Sequence, residues 1–300
     1  MMSDAQVVAI VVSYNPQVRH LLRLLENLRL QASAVLVVDN ASDVSPAARI
    51  EALGVHYMQM TRNVGLAAAM NRGIEWAYQR HASHVILFDQ DSLPSASMLR
   101  QLLIAEQQVK AMGLPLAALG PAYIDVKTHA MGAVIGPERW FTRRKNKPDF
   151  AMLIEAAYLI SSGQLICCST LRRVGLMRES LFIDAVDIEW SLRARHLGLR
   201  SFVVADAMME HNLGDANVHI GNTRVALHGP LRHYYIIRNA LLLCRLPHIP
   251  WRWKVVDCGK TVRRFFAYLF LCRPRWQHFI WMCRGWRDGF LGRDGKAPNT

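Results

Sequence analysis

The sequence predicts an α/β fold, with a mostly parallel central sheet flanked by helices and a basic, aromatic-rich helical extension after it. Three observations carry that prediction. Short apolar runs alternate with segments of helical periodicity through the first half of the chain. Each of the first four runs stops at a polar cluster, as strands of an open α/β sheet do at a ligand crevice. The chain also divides by charge: residues 1–223 hold 21 basic and 20 acidic side chains, whereas residues 224–300 hold 15 and 3.

In order, Val7–Ser13 reads as a buried strand. Val18–Leu30 reads as a helix, with Leu21, Leu22, Leu25 and Leu28 at helical spacing. Ala34–Val38 and Val55–Met60 are strands ending at Asp39-Asn40 and near Asn63. Gly65–Arg80 is helical. Val85–Phe88 is a strand ending at Asp89-Gln90-Asp91, and Ser97–Met112 is a further helix. Leu119–Gly136 carries the Gly and Pro punctuation of short strands and turns, and Arg143–Pro148 reads as an exposed basic loop. Around Ser161-Ser162-Gly163, small residues permit close approach of a ligand or another backbone. A helix starts at Asp187, a strand occupies Ser201–Val204, and residues 250–292 interleave aromatic with basic residues. These segments predict two units, a catalytic domain over 1–240 and an amphipathic extension over 241–300.

The composition, 52% hydrophobic over 300 residues, excludes a disordered chain. The N-terminal apolar run is too short for a signal peptide and has no basic residue before it. No apolar stretch reaches the roughly 18 residues of a membrane-spanning helix. Six cysteines without a C-x-x-C pair read as reduced thiols. The excess charge of +12 in the tail suggests an anionic surface as partner. Aromatic rings among basic heads favour a lipid headgroup zone, and no nucleic-acid-binding motif accompanies them.

Asp89 and Asp91 are poor core residues at a strand end but good oxygen ligands for Mg²⁺ or Mn²⁺. Asp184, Asp187 and Glu189 form a second acidic cluster. Each has a capping role at a helix N-terminus as one reading and a general base as the other. His211 reads as a structural histidine or a metal ligand.

Taken together, Val-Val-Ser-Tyr-Asn-Pro (11–16), Val-Val-Asp-Asn-Ala-Ser (37–42), the Asn and Gly pattern of 62–73, Asp-Gln-Asp-Ser (89–92), the acidic segment 182–193 and His-x-x-Gly (211–214) resemble glycosyltransferase family 2 enzymes of GT-A fold. The Asp-Gln-Asp-Ser form and residues 231–239 resemble the bacterial rhamnosyltransferases within it. The resemblance implies inverting transfer of L-rhamnose from dTDP-L-rhamnose to an acceptor hydroxyl. It implies that Ser13, Tyr14, Asn15 and Asp39 hold the base and ribose, with Asp39 accepting from the pyrimidine edge. Asn63, Gly65 and Asn71 would shape the nucleotide side, with Gln90 beside the donor. Asp89 would serve both ribose and metal, Asp91 and His211 would ligate the metal, and Asp187 would be the catalytic base. Arg232, Tyr235 and Arg238 are expected on the diphosphate or acceptor. Many relatives carry Glu-Asp at the base position, where this chain has Val186-Asp187, so Asp184 and Glu189 stay rivals. The implied cofactor is a divalent metal. The implied partners are a nucleotide sugar, a glycan or glycolipid acceptor such as a lipopolysaccharide core or O-chain, and the cytoplasmic face of the inner membrane. Two other readings keep the fold: a transferase using another UDP-, dTDP- or GDP-sugar, and a non-catalytic sugar-nucleotide-binding protein.

Overall fold

A computed structural model describes residues 5–125, 131–136, 153–211, 216–220 and 223–298. The first part is a run of βα units: β1 (Val7–Ser13), α1 (Val18–Leu28), β2 (Ala34–Asp39), α2 (Ala47–Glu51), β3 (His56–Gln59), α3 (Leu66–Gln79) and β4 (His84–Asp89). The strands pair in parallel in the order β3-β2-β1-β4. The chain therefore leaves β1 toward one edge and returns to β4 on its other side. That reversal opens a crevice beyond the carboxyl ends of β1 and β4.

Alternation along β1 supplies both faces of the core. Val8, Ile10 and Val12 point to one side, where Ala67, Met70 and Ile74 of α3 cover them. Val7, Ala9 and Val11 point to the other, under Leu21, Leu24 and Leu25 of α1. Strands buried on both faces read as continuous apolar runs, which is why the sequence shows no polar alternation there.

The second part widens the sheet with β5 (Ser92–Pro94), α4 (Met98–Ala111), β6 (Leu116–Asp125), β7 (Leu153–Ala156), β8 (Gln164–Cys167) and α5 (Cys168–Val174). A single 3₁₀ turn (Glu179–Leu181), α6 (Val186–His196) and β9 (Arg200–His211) follow. The full order is β3-β2-β1-β4-β8-β6-β9-β5, with β7 also on β9. Pairing here is mixed: β8 is antiparallel to β4, and β6 is parallel to β9. The expectation of short strands and turns from Leu119 is corrected by β6, one ten-residue strand. Gly120-Pro121 reads as a turn in isolation, but Pro121 sits at a register shift against β9, where a missing N–H is tolerated. The exposed loop predicted at Arg143–Pro148 lies outside the described residues.

A hairpin, β10 (Ala216–Ile220) with β11 (Thr223–Leu227), leads to three helices: α7 (Pro230–Cys244), α8 (Trp251–Leu271) and α9 (Arg275–Leu291). The 240/241 division falls inside α7. Helix α9 lies so close to α7 that a Cβ at Gly285 would meet the Tyr234 carbonyl oxygen at 2.7 Å. Tyr234 also donates its hydroxyl to buried Asp288, at 3.0 Å. The tail thus docks on the helix that ends the catalytic region. No helix among the described residues is long and apolar enough to cross a membrane.

Candidate active site

The ends of β1, β2 and β4 are stitched together by their polar clusters. Asp39 is fully buried, and its carboxylate accepts from Ser13 Oγ (3.1 Å), Ser42 Oγ (2.5 Å), the Ser42 amide (3.2 Å) and Tyr57 Oη (3.0 Å). Four donors compensate the desolvation of that charge. A base edge reaching Asp39 has to replace one of them. Asn15, at φ +46°, exchanges side-chain hydrogen bonds with Asp43. Gln90 accepts from the Tyr14 amide at 2.8 Å and donates back to its carbonyl at 3.3 Å. Tyr14 itself is exposed on the rim.

Asn63 accepts from Asn40 Nδ2 and from the Gly65 amide, both at 3.0 Å. Gly65 then opens α3 at φ +90°, where only glycine is unstrained. A Cβ there would sit 2.7 Å from the Phe182 carbonyl oxygen. That same oxygen accepts from the Leu66 amide at 2.7 Å, capping α3 with a residue far along the chain. Asn71 lies deeper. It is buried, and its amide binds the Met177 backbone in both directions and Glu179. Its place is as a tether beneath the crevice.

At the end of β4, the Asp89 amide donates to Ser162 Oγ at 3.0 Å, and Ser162 also bonds Ser92. Gly163 approaches Pro121 and donates its amide to Leu87. The small residues at 161–163 therefore admit neighbouring backbone. Asp91 is exposed, and among the described residues no cation pairs with it. β5 runs antiparallel to the end of β9 and sets Ser92 opposite His211. The register thus brings the His211 backbone beside Asp91. Gly214 of the same motif lies outside the described residues.

The acidic segment reaches this point through a strained turn. Phe182 adopts φ 64°, ψ −66°, and the Ile183 amide bonds the Leu181 carbonyl across it at 2.8 Å. That is the rare γ-turn of positive φ. Asp184 and Ala185 follow at φ 65° and 62°. Such a backbone persists only where its surroundings impose it. Here α7 imposes it: Asn239 Nδ2 donates to the carbonyls of Leu181, Ile183 and Asp184 at 2.7–3.0 Å.

Two expected donor contacts are corrected by that arrangement. Arg238 is fully buried, with its guanidinium on the Leu181 and Gly295 carbonyls and on Asn239. Tyr235 is buried too; its ring stacks on Phe182 at 5.1 Å, and its hydroxyl accepts from the Ala297 amide. Neither reaches a diphosphate, because both are spent holding the 181–184 turn. Arg232 remains on the rim and grips Asp184 with Nε and Nη2 at 3.1–3.3 Å.

The three rival carboxylates are now distinct. Asp184 is paired with Arg232. Glu189 is fully buried and paired with Arg193 at 3.0 Å and Arg178 at 3.4 Å. Asp187 has no cation partner among the described residues; it accepts from the Ile188 amide, at 2.8 Å, and from its own. Burial pushes its carboxyl up to about 6, and the charges of Asp89 and Asp184 add to the rise. Sequence reasoning missed several neighbours of this site. Tyr158, raised by burial and by the charge of Asp187, packs edge-on against Trp253 of α8 with ring centroids 5.6 Å apart. Asn239 and Tyr57 stood in or beside motifs, without a signal of their role.

Residues 8–158 match the family described as glycosyl transferase family 2. The dTDP-rhamnosyl transferase RfbF of Shigella flexneri is 31% identical over 249 residues, 82% of each chain. Among solved structures, S. aureus TarS 1–349 in complex with UDP-GlcNAc matches with a TM-score of 0.61 at 16% identity, over 96% of this chain and 81% of that one. GalNAc-T7 with UDP, GalNAc and Mn²⁺ matches at 0.55 and 13% identity, over 89% and 57%. A longer TarS chain is covered over only 44% of its length, with a TM-score of 0.55 at 17% identity. At such identities the structural likeness speaks for the fold, and the sequence matches speak for the family. With a β3-β2-β1-β4 parallel sheet, this family match and this relative, the chain belongs to glycosyl transferase family 2: the protein is a glycosyltransferase of GT-A fold.

Proposed function

We propose that the enzyme transfers L-rhamnose from dTDP-L-rhamnose, with inversion, to a hydroxyl of a cell-surface glycan or glycolipid such as a lipopolysaccharide core or O-chain. The relative's name supports the donor. The observation that carries the mechanism is Asp187: a carboxylate at a helix N-terminus, raised to about 6 and, among the described residues, without a cation partner while its neighbours are paired. It takes the acceptor hydroxyl's proton as that oxygen forms its bond to the anomeric carbon. The C–O bond to the diphosphate breaks on the opposite face, and dTDP leaves with the electron pair. Ser13, Tyr14, Asn15, Asp39, Asn63, Gly65 and Gln90 line the nucleotide side, and Arg232 stands at the rim.

The donor set at the β4 end fits a hard divalent cation. Asp89 and Asp91 would supply oxygens, and His211, whose backbone pairs with Ser92, is the further proposed ligand. With a cation held by these residues, the charge of the diphosphate would be offset as it leaves. Asn239 holds the turn that leads into Asp187.

Attachment to the cytoplasmic face of the inner membrane belongs to the same reading. Trp251, Val255, Val262, Phe266 and Phe270 form an exposed stripe along α8, continued by Trp276 and flanked by Arg252, Arg263, Arg273 and Arg275. Rings at headgroup depth and basic heads at an anionic surface suit that arrangement.

The deciding experiment is calorimetric donor binding with dTDP-L-rhamnose, dTDP-glucose, UDP-glucose and GDP-mannose, each with Mg²⁺ or Mn²⁺ and with EDTA. Selective, metal-dependent binding of dTDP-L-rhamnose is expected. Preference for another donor overturns the rhamnose assignment and keeps the family; binding without turnover on any acceptor returns the chain to a binding protein.

A further inference from the structure

A second constellation lies at the opposite end of β4. His84 opens that strand and Asp89 closes it, so about 16 Å of extended chain separates this place from the crevice. The antiparallel register sets His84 against Cys167, the last residue of β8. Glu106 of α4 completes the group, with Oε1 at 3.0 Å from His84 Nε2. Lys110 Nζ lies 2.8 Å from the same oxygen. One ligand-capable atom from each of His84, Glu106 and Cys167 falls within 4.8 Å of the others. His84 and Glu106 are buried, Cys167 is half-buried, and a cavity of about 220 Å³ opens beside all three.

The far nitrogen of His84 decides what the near one can do. Ser83 Oγ donates to the Gln6 carbonyl at 3.2 Å, so toward His84 Nδ1, 2.8 Å away, it acts as acceptor. Nδ1 then carries the proton, and Nε2 is the nitrogen turned to the carboxylate and thiol. A histidine ligand fixed through its other nitrogen in this way is the usual outer-shell arrangement of a metal site. Sulfur, imidazole nitrogen and carboxylate oxygen converging beside a water-sized space suit a borderline-soft divalent cation, unlike the oxygen-rich crevice at the other end of the strand.

We propose that Cys167, His84 and Glu106 bind a divalent cation of the zinc class, with water from the cavity as the fourth ligand. Binding displaces the proton that His84 Nε2 donates to Glu106, releases that of the Cys167 thiol to solvent, and exchanges the His84–Glu106 contact for one bond from each to the metal. The ion ties α4 to β4 and β8 from behind the crevice and takes no part in sugar transfer. The proposal does not depend on the donor assignment.

The test uses the full chain, reduced and stripped with EDTA, titrated with Co²⁺ as a spectroscopic stand-in for Zn²⁺. One equivalent producing a thiolate-to-cobalt charge-transfer band is expected, displaced by Zn²⁺ and not by Mg²⁺. Cys167→Ser should abolish the band while keeping the wild-type circular dichroism, and His84→Gln should weaken Co²⁺ binding on the order of tenfold or more. Asp91→Asn, at the crevice, should leave the band unchanged. No thiolate band in the wild-type chain overturns the proposal. So does a band that survives in Cys167→Ser, as the separate buried group His233, Cys272 and His278 would produce.

Discussion

Asp184, Asp187 and Glu189 are chemically near-equivalent, and their surroundings separate them. A guanidinium beside Asp184 and two beside Glu189 hold those charges in place, whereas Asp187 faces other carboxylates. Asp187→Asn is expected to reduce transfer by about 10²- to 10⁴-fold with donor affinity retained, measured by turnover and calorimetry on the same preparation. Since the base acts deprotonated, wild-type kcat/KM should rise with pH through about 6 and level off above it. The same shift has a stability consequence. The folded carboxyl sits above its ordinary value of 3.8, so the folded state holds the proton more tightly, and stability falls as pH rises from there through about 6. The Asn variant should therefore melt higher than wild type at pH 7 and the same below pH 4. An equal Tm at both pH values would contradict the raised carboxyl. Glu189→Gln should do the reverse: it leaves Arg193 without its counter-charge and should lower stability by about 3 kcal/mol or more, read from denaturant midpoints.

Among the elements, the turn at 181–184 has the most to lose. Asn239→Ala removes three hydrogen bonds to a backbone of positive φ, with an expected loss of about 1–3 kcal/mol. It should lower kcat, because the turn that leads into Asp187 is no longer held. An unchanged kcat would show that α7 is not what positions Asp187. This is also where the sequence was least legible. The strands β1 to β4 and the helices between them could be read because burial on both faces leaves long apolar runs and each run meets a turn residue at its end. The strands β5 and β7 could not: three or four residues carry no period, and pairing with distant β9 makes them strands. Arg238 and Tyr235 are expected on the diphosphate or acceptor because the family resemblance implies it. Their burial follows from acceptors and donors supplied by residues 181, 295 and 297, which no local pattern reveals. Position alone leaves Asp187 open between a helix cap and a base; the base role comes from the family resemblance.

For the molecule as a whole, the tail has two faces with two tasks. Its inner face, through Gly285 and Asp288, is docked on α7, while Trp251, Phe266 and Phe270 face outward. A variant with all three aromatics changed to Ser should lose binding to anionic vesicles in a flotation assay and keep donor affinity. Retained flotation would remove the stripe from that role. A fragment ending at residue 240 should fail to yield a stable enzyme, since the cut falls within α7 and removes the docking surface.

The carbonyl of Phe182 that caps α3 carries a further consequence, for the order of folding. Residues 65–66 wait for 182; the turn at 182 waits for 239; and Ser180, Tyr235 and Arg238 wait for 295–297. Closures across such separations are slow beside the local βα units that precede them. During refolding, helical and strand signals should therefore recover first, and transferase activity should return only in the final phase.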